Sequence, residues 1–126
     1  MIEEGLVTWL KANIALAGTR VHRMKLPQNP VLPAITYFKV SGVRWHSHQG
    51  PSGIAQPRFQ ISCWGTTYDD AKHLSEEVRK DMDCYTGLMG VVRVQACFLL
   101  NEIDLSTPEV GIYQVALDFQ IVHEEI

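Results

Sequence analysis

Residues 50–82, GPSGIAQPRFQISCWGTTYDDAKHLSEEVRKDM, change their hydrophobic period once, at Gly65, and that change restricts the fold more than any other feature of the chain. The stretch opens with Gly, Pro and Ser, the composition of a loop. Phe59, Ile61 and Cys63 then alternate with Arg58, Gln60, Ser62 and Trp64, the period of a strand with one buried face. Beyond Gly65, Thr66 or Thr67 can cap a helix, and Asp69 and Asp70 fall in its first turn, where carboxylates suit the positive end of the helix dipole. Ala71, Leu74, Val78 and Met82 recur at spacings of three and four and make one apolar stripe. Strand, tight turn and amphipathic helix follow each other with almost no slack.

The flanking sequence extends the same design. Ile2, Leu6, Trp9, Leu10 and Ile14 share one face of an N-terminal amphipathic helix that ends near Gly18, with Trp9 as a core anchor. Residues 19–24 make a short strand, and Pro27, Pro30 and Pro33 keep the following segment extended or turned. Residues 34–45 read as a long strand rich in β-branched and aromatic side chains, with a bulge or bend at Gly42. Residues 46–56 read as a loop, long for its position and therefore a candidate partner-binding element. Residues 84–90 form a turn, and 91–104 a strand with Val92, Val94, Ala96, Phe98 and Leu100 on one side and Val91, Arg93, Gln95, Cys97 and Leu99 on the other. In the last strand Tyr113, Val115, Leu117, Phe119 and Ile121 face one way, and Gln114, Ala116, Asp118 and Gln120 the other. The expected fold is α+β, in the order α-β-β-β-α-β-β: an antiparallel or mixed sheet with two amphipathic helices on one face. Its outer face, carrying Trp64, Val91 and Val122 among Gln and Asp, is a mixed surface of the kind on which another subunit packs.

At 126 residues the chain suits one domain, 1–126, able to bury a core without metals or disulfides. A net charge of −3 argues against a domain whose main task is gripping nucleic acid. Cys63, Cys84 and Cys97 are odd in number and show no CxxC spacing, as expected of reduced thiols. No apolar run approaches the roughly 20 residues of a membrane span. The acidic start MIEEGLVTWL lacks the basic flank of a signal peptide, which makes the cytosol the expected place of synthesis.

Catalytic chemistry finds little support. Cys63 alternates with core residues and His73 lies on the following helix, so spacing alone does not bring the two together as nucleophile and base. Asp69–Asp70 and Glu76–Glu77 are adjacent pairs pointing about 100° apart on a helix. GPSG precedes a strand and contains proline, the wrong context for a phosphate loop. His46 and His48 invite a metal, yet sequence places no third ligand near them. The expectation is no enzyme, no metal and no cofactor. The candidate partner-binding residues are Arg44, Trp45, His46, His48 and Gln49 around the loop, and Trp64 on the outer sheet face.

Taken together, the N-terminal helix with its Leu/Trp stripe, Arg20-Val21, LPQNPVLPAITYFKVSG, HSHQGPSG, PRFQISCWGTTYDDAKHLSEEVRKDM and the terminal GIYQVALDFQIVHEE resemble the small tail-completion and tail-terminator proteins of tailed bacteriophages, over about residues 3–123. The resemblance implies a virion protein, assembled in the host cytoplasm, that forms a ring, commonly a hexamer, at the head-proximal end of the tail. There it stops growth of the tail tube and joins the tail to the head connector, with DNA only as cargo in the lumen and no membrane partner. Two other readings stay open: a different head-tail adaptor or minor capsid protein, and a small-molecule-binding or hydrolytic α+β domain, which would need a pocket with convergent polar groups.

Overall fold

The computed structural model describes residues 2–14, 20–24, 32–41, 44–47, 50–105 and 112–124, with the backbone alone for 41, 44–47 and 50–54. Helix α1 (Ile2–Asn13) has Glu3 and Glu4 in its first turn and Lys11 in its last, matching its dipole at both ends. It ends at Asn13 rather than near Gly18, which lies outside the described residues. Helix α2 (Tyr68–Met82) starts where the period changes: the Thr67 hydroxyl caps it by accepting the Asp70 N–H at 3.1 Å. Gly65 permits the short approach, because a Cβ there would lie 2.7 Å from the Ala71 nitrogen.

Among the described residues eight strands form one mixed sheet: β1 (Val21–Arg23), β2 (Ala34–Ser41), β3 (Arg44–Ser47), β4 (Gly50–Ala55), β5 (Arg58–Gly65), β6 (Gly87–Met89), β7 (Val92–Asp104) and β8 (Tyr113–Glu124). β1 runs parallel to β2; every other pairing is antiparallel. The main path is β1-β2-β5-β8, with β7 on the other edge of β8 and β6 beyond β7. The expected order α-β-β-β-α-β-β is the skeleton of this arrangement. Three short strands are added to it: β3 and β4 within residues expected as strand end and loop, and β6 within the expected 84–90 turn.

The core forms where the inner face of the sheet meets the helices. Phe59, Ile61 and Cys63 of β5, Val115, Leu117, Phe119 and Ile121 of β8, and Leu74 and Val78 of α2 are all fully buried. α2 packs on β5, β8 and β7, while α1 packs on β6 and β1. Trp9 is buried in the same cluster, its ring 5.1 Å from that of Tyr85. The seat of α1 depends on Gly5. A Cβ there would collide with the Met89 carbonyl, and one at Gly90 (φ +61°) would lie 2.9 Å from the Gly5 Cα. Helix and β6–β7 turn thus touch backbone to backbone.

The expected faces of β7 are corrected by two register shifts, between Val94 and Ala96 and between Leu99 and Asn101. Each inserts a residue and flips the side chains that follow. Val92 and Val94 are buried as the alternation requires, but beyond them Cys97 and Leu99 turn inward opposite Ile121 and Phe119. Phe98 and Leu100 are left about half exposed. Val91, expected on the outer sheet face, sits instead in the β6–β7 turn and is 85% exposed.

Two outcomes follow from this packing. Phe119→Ala removes a fully buried ring from the middle of β8 and should cost about 3–5 kcal/mol in a urea melt. An unchanged midpoint would contradict the burial. Gly5→Ala gains about 1 kcal/mol of helix propensity, yet should lower stability by about 1–3 kcal/mol, the usual cost of overpacking. A raised melting temperature would show that α1 does not lie against Met89.

Candidate functional site

The hairpin β3–β4 grows out of the sheet at the Glu124 end of β8. β4 and β5 lie along the same edge of β8: Arg58 pairs with Gln120, and Ala55 and Ile54 pair with His123 and Glu124. Between them Pro57 has no N–H to give, but its carbonyl accepts the Ile121 N–H at 3.0 Å and keeps the edge continuous. Ala55 and His123 are buried at this junction, where His123 Nδ1–H donates to the Glu124 carbonyl at 2.9 Å. Residues 50–53 continue along β4 past the described end of β8, with β3 as their partner on one side through Ser47↔Gly50 and His46↔Pro51. The segment 46–56, expected as a loop, is therefore mostly strand. Its Gly, Pro and Ser carry little strand propensity, and cross-strand pairing outweighs them.

Arg44, Trp45 and His46 fall on β3. His48 and Gln49, between the two strands, lie outside the described residues. Trp64 is placed elsewhere. It lies near the far end of β5, opposite Ala34 and Gln114, six residues beyond Arg58 and so roughly 20 Å along the strand. Its indole N–H donates to the Thr36 hydroxyl at 2.9 Å. The structure thus gathers three of the candidates on one strand and sets Trp64 apart on the outer face of the sheet.

That outer face has two halves. Across β2, β5 and β8 polar side chains pair with one another: the Ser62 hydroxyl accepts from Gln60 at 3.2 Å and from Gln114 at 2.9 Å, and Arg58 pairs with Asp118 at 3.5 Å although its buried Nε has no partner among the described residues. Along β7 the surface turns apolar, with Phe98, Leu100, Ile103 and Leu105 each 43–47% exposed. Strict alternation missed this row, because the two register shifts that create it need a partner strand to be visible. The crowding of apolar residues between 96 and 105 was its one sequence signal.

The buried thiols of Cys63 and Cys97 have little nucleophilic character. Burial pushes the Cys63 thiol far up, and burial together with Asp83 pushes Cys97 up to about 12. Cys63 is fully buried while His73 is exposed on α2, so they do not form a nucleophile–base pair. Among the described residues no group of three or more His, Cys, Asp or Glu side chains is placed to hold a metal ion, and no helix is long and apolar enough to cross a membrane. What the geometry offers is surface for macromolecular contact: a projecting hairpin and a half-apolar sheet face.

Comparison with known proteins agrees with an assembly role. Among curated proteins none matches the chain. Among solved structures, a chain of the virion of a native gene transfer agent (GTA) particle shares the fold, with a TM-score of 0.75 at 19% identity over 96% of this chain and 93% of that one. A family model, tail completion protein gp17, matches residues 4–124, nearly the full length and both helices with every strand. The chain belongs to this family of tail completion proteins, as a structural protein of the phage virion tail.

Proposed function

We propose that this protein, acting as one domain over residues 1–126, assembles as a ring at the head-proximal end of a phage tail, where it ends growth of the tail tube and joins the tail to the head connector. The family match over residues 4–124 carries this reading. In it, the candidate residues Arg44, Trp45, His46, His48 and Gln49, and the outer sheet face around Trp64, meet neighbouring copies, the tail tube protein or the connector. The hairpin suits the task because, among the described residues, its pairing to β8 is at its base, at Ile54 and Ala55. DNA passes as cargo, in keeping with a chain of net charge −3. The buried Cys63 and Cys97 thiols and the outward-facing His73 support a role without catalysis or cofactor.

Two experiments test the proposal. Replacing residues 46–53 by a tight turn should leave a cooperative melt, because the described core residues, on both helices and on β2, β5, β6, β7 and β8, lie outside that segment. Infected cells should then accumulate filled heads beside unjoined or overlong tails. Normal joined virions would remove the hairpin from tail completion. Replacing Cys63, Cys84 and Cys97 with Ala in turn should leave tail completion intact in every variant that folds. A folded, assembled variant that fails to complete tails would restore a chemical role for that thiol.

A further inference from the structure

Just before β6 the chain meets β7 at a pair of cysteines, Cys84 and Cys97. The β6–β7 register pairs Gly87 with Val94, Leu88 with Arg93 and Met89 with Val92. Continued by three residues on each strand, the same register sets Cys84 opposite Cys97, and the Cys84 N–H donates to the Cys97 carbonyl at 2.7 Å. Standard bond lengths on either side of that hydrogen bond hold the two Cα atoms within about 6.6 Å of each other, inside the span of roughly 4.4–6.8 Å that a disulfide bridges.

Both residues meet on the helix side of the sheet. Cys97 stands opposite the buried Ile121, so its side chain lies on the inner face of β7. Cys84 follows the end of α2, which packs on that face. Burial, then Asp83 and Cys84, hold the Cys97 thiol up at about 12, so the two thiols are within electrostatic reach of one another. The backbone adds a separate sign. Cys84 comes directly after the helix cap Asp83 at φ +64°, the left-handed position where helices commonly end on glycine or asparagine. A cysteine there carries strain that glycine would avoid, and such strain concentrates where a side chain has a task.

The two sulfurs differ in access: Cys84 is exposed and Cys97 fully buried. An oxidant therefore meets Cys84 first. Attack of Cys84 Sγ on a low-molecular-weight disulfide forms a mixed disulfide and releases one small thiol. Cys97 Sγ then attacks Cys84 Sγ, which forms the protein disulfide and releases the second small thiol. The two thiol hydrogens of the protein end on the two small thiols. The protein loses two electrons and the small disulfide gains them.

A phage tail is built inside a reducing cell and released from it, and disulfides form and persist on virion surfaces. We propose that Cys84 and Cys97 form a disulfide site that stays open during assembly and closes in the released virion, tying the end of α2 to β7 at the base of the β6–β7 hairpin. The closed loop contains Gly90, the turn against which α1 is seated. Closing it restricts the unfolded chain and stabilises the fold. The bond lies within one chain, so it does not depend on the ring. Tail completion precedes closure, and the Cys→Ala variants above complete their tails for that reason.

The test starts from purified full-length protein, reduced and then incubated with oxidised glutathione. Wild type should lose the mass of two hydrogen atoms, stay a single chain on a non-reducing denaturing gel, and yield a linked peptide pair joining Cys84 to Cys97. Its melting temperature should rise by roughly 5–10 °C and fall back on reduction. Cys84→Ser, a change at an exposed side chain, should fold and show neither the mass loss nor the rise. In purified virions unfolded in an alkylating agent, Cys84 and Cys97 should label only after reduction, whereas protein from infected cells treated the same way should label at both. A wild type that keeps three free thiols, a glutathione adduct left on Cys84, two chains joined through Cys84, or oxidised protein that melts no higher than reduced would each overturn the proposal. Virions with both thiols free would overturn it as well.

Discussion

The whole fold hangs on β8, which is hydrogen-bonded along both edges. β5 and then β4 occupy one edge in succession, and β7 the other for its full length. A strand paired on both sides cannot slip by one residue without moving its entire apolar set to the wrong face. Val115, Leu117, Phe119 and Ile121 make that penalty large, since all four are fully buried. β8 therefore sets the register of three neighbours at once. The helices follow, because the inner face they cover is defined by the row Ile61–Leu117 and Phe59–Phe119 at its centre.

Two of the sheet's edges are handled differently. At β1 the free edge is only three residues long, and a short edge is a poor template for another chain. At β7 the edge is long, and the turn after α2 closes it: Asp83 ends the helix by donating its N–H to the Arg79 carbonyl while its carboxylate takes the Leu99 N–H. Helix termination and edge protection are thus served by one residue, and the neighbouring Cys84, at φ +64°, turns its own N–H onto Cys97. An assembly protein gains from this division. Blunt backbone edges prevent unlimited sheet growth, whereas exposed side chains permit a contact of defined partner and geometry.

The outer face divides along the same line. Its β2–β5–β8 half is held by internal hydrogen bonds, so Trp64 and Thr36 bind each other and Ser62 serves two glutamines. These groups have partners before any subunit arrives. The β7 half has no comparable saturation of apolar surface, and the hairpin at the Glu124 end extends beyond the body of the sheet.

Much of this architecture was legible in the sequence, because burial on one face imposes period two on β5 and β8 and period 3.6 on α1 and α2. The core positions Phe59, Ile61, Leu74, Val78, Leu117 and Phe119 and the α+β class follow from that periodicity, and of the two threonines able to cap α2, Thr66 and Thr67, the structure assigns the cap to Thr67. The tertiary structure decided what periodicity cannot encode. A bulge is invisible without the partner strand that defines it, so the inward turn of Cys97 and Leu99 and the exposure of Phe98 and Leu100 emerged only with β8 in place. Residues 50–55 have the composition of a loop and become strand because β3 and the end of β8 supply hydrogen-bond partners. The close approach of Gly5 to Met89 and Gly90 likewise exists only once the chain is folded. Local sequence set each element's own preference; which face, which edge and which close approach depended on neighbours distant in the chain.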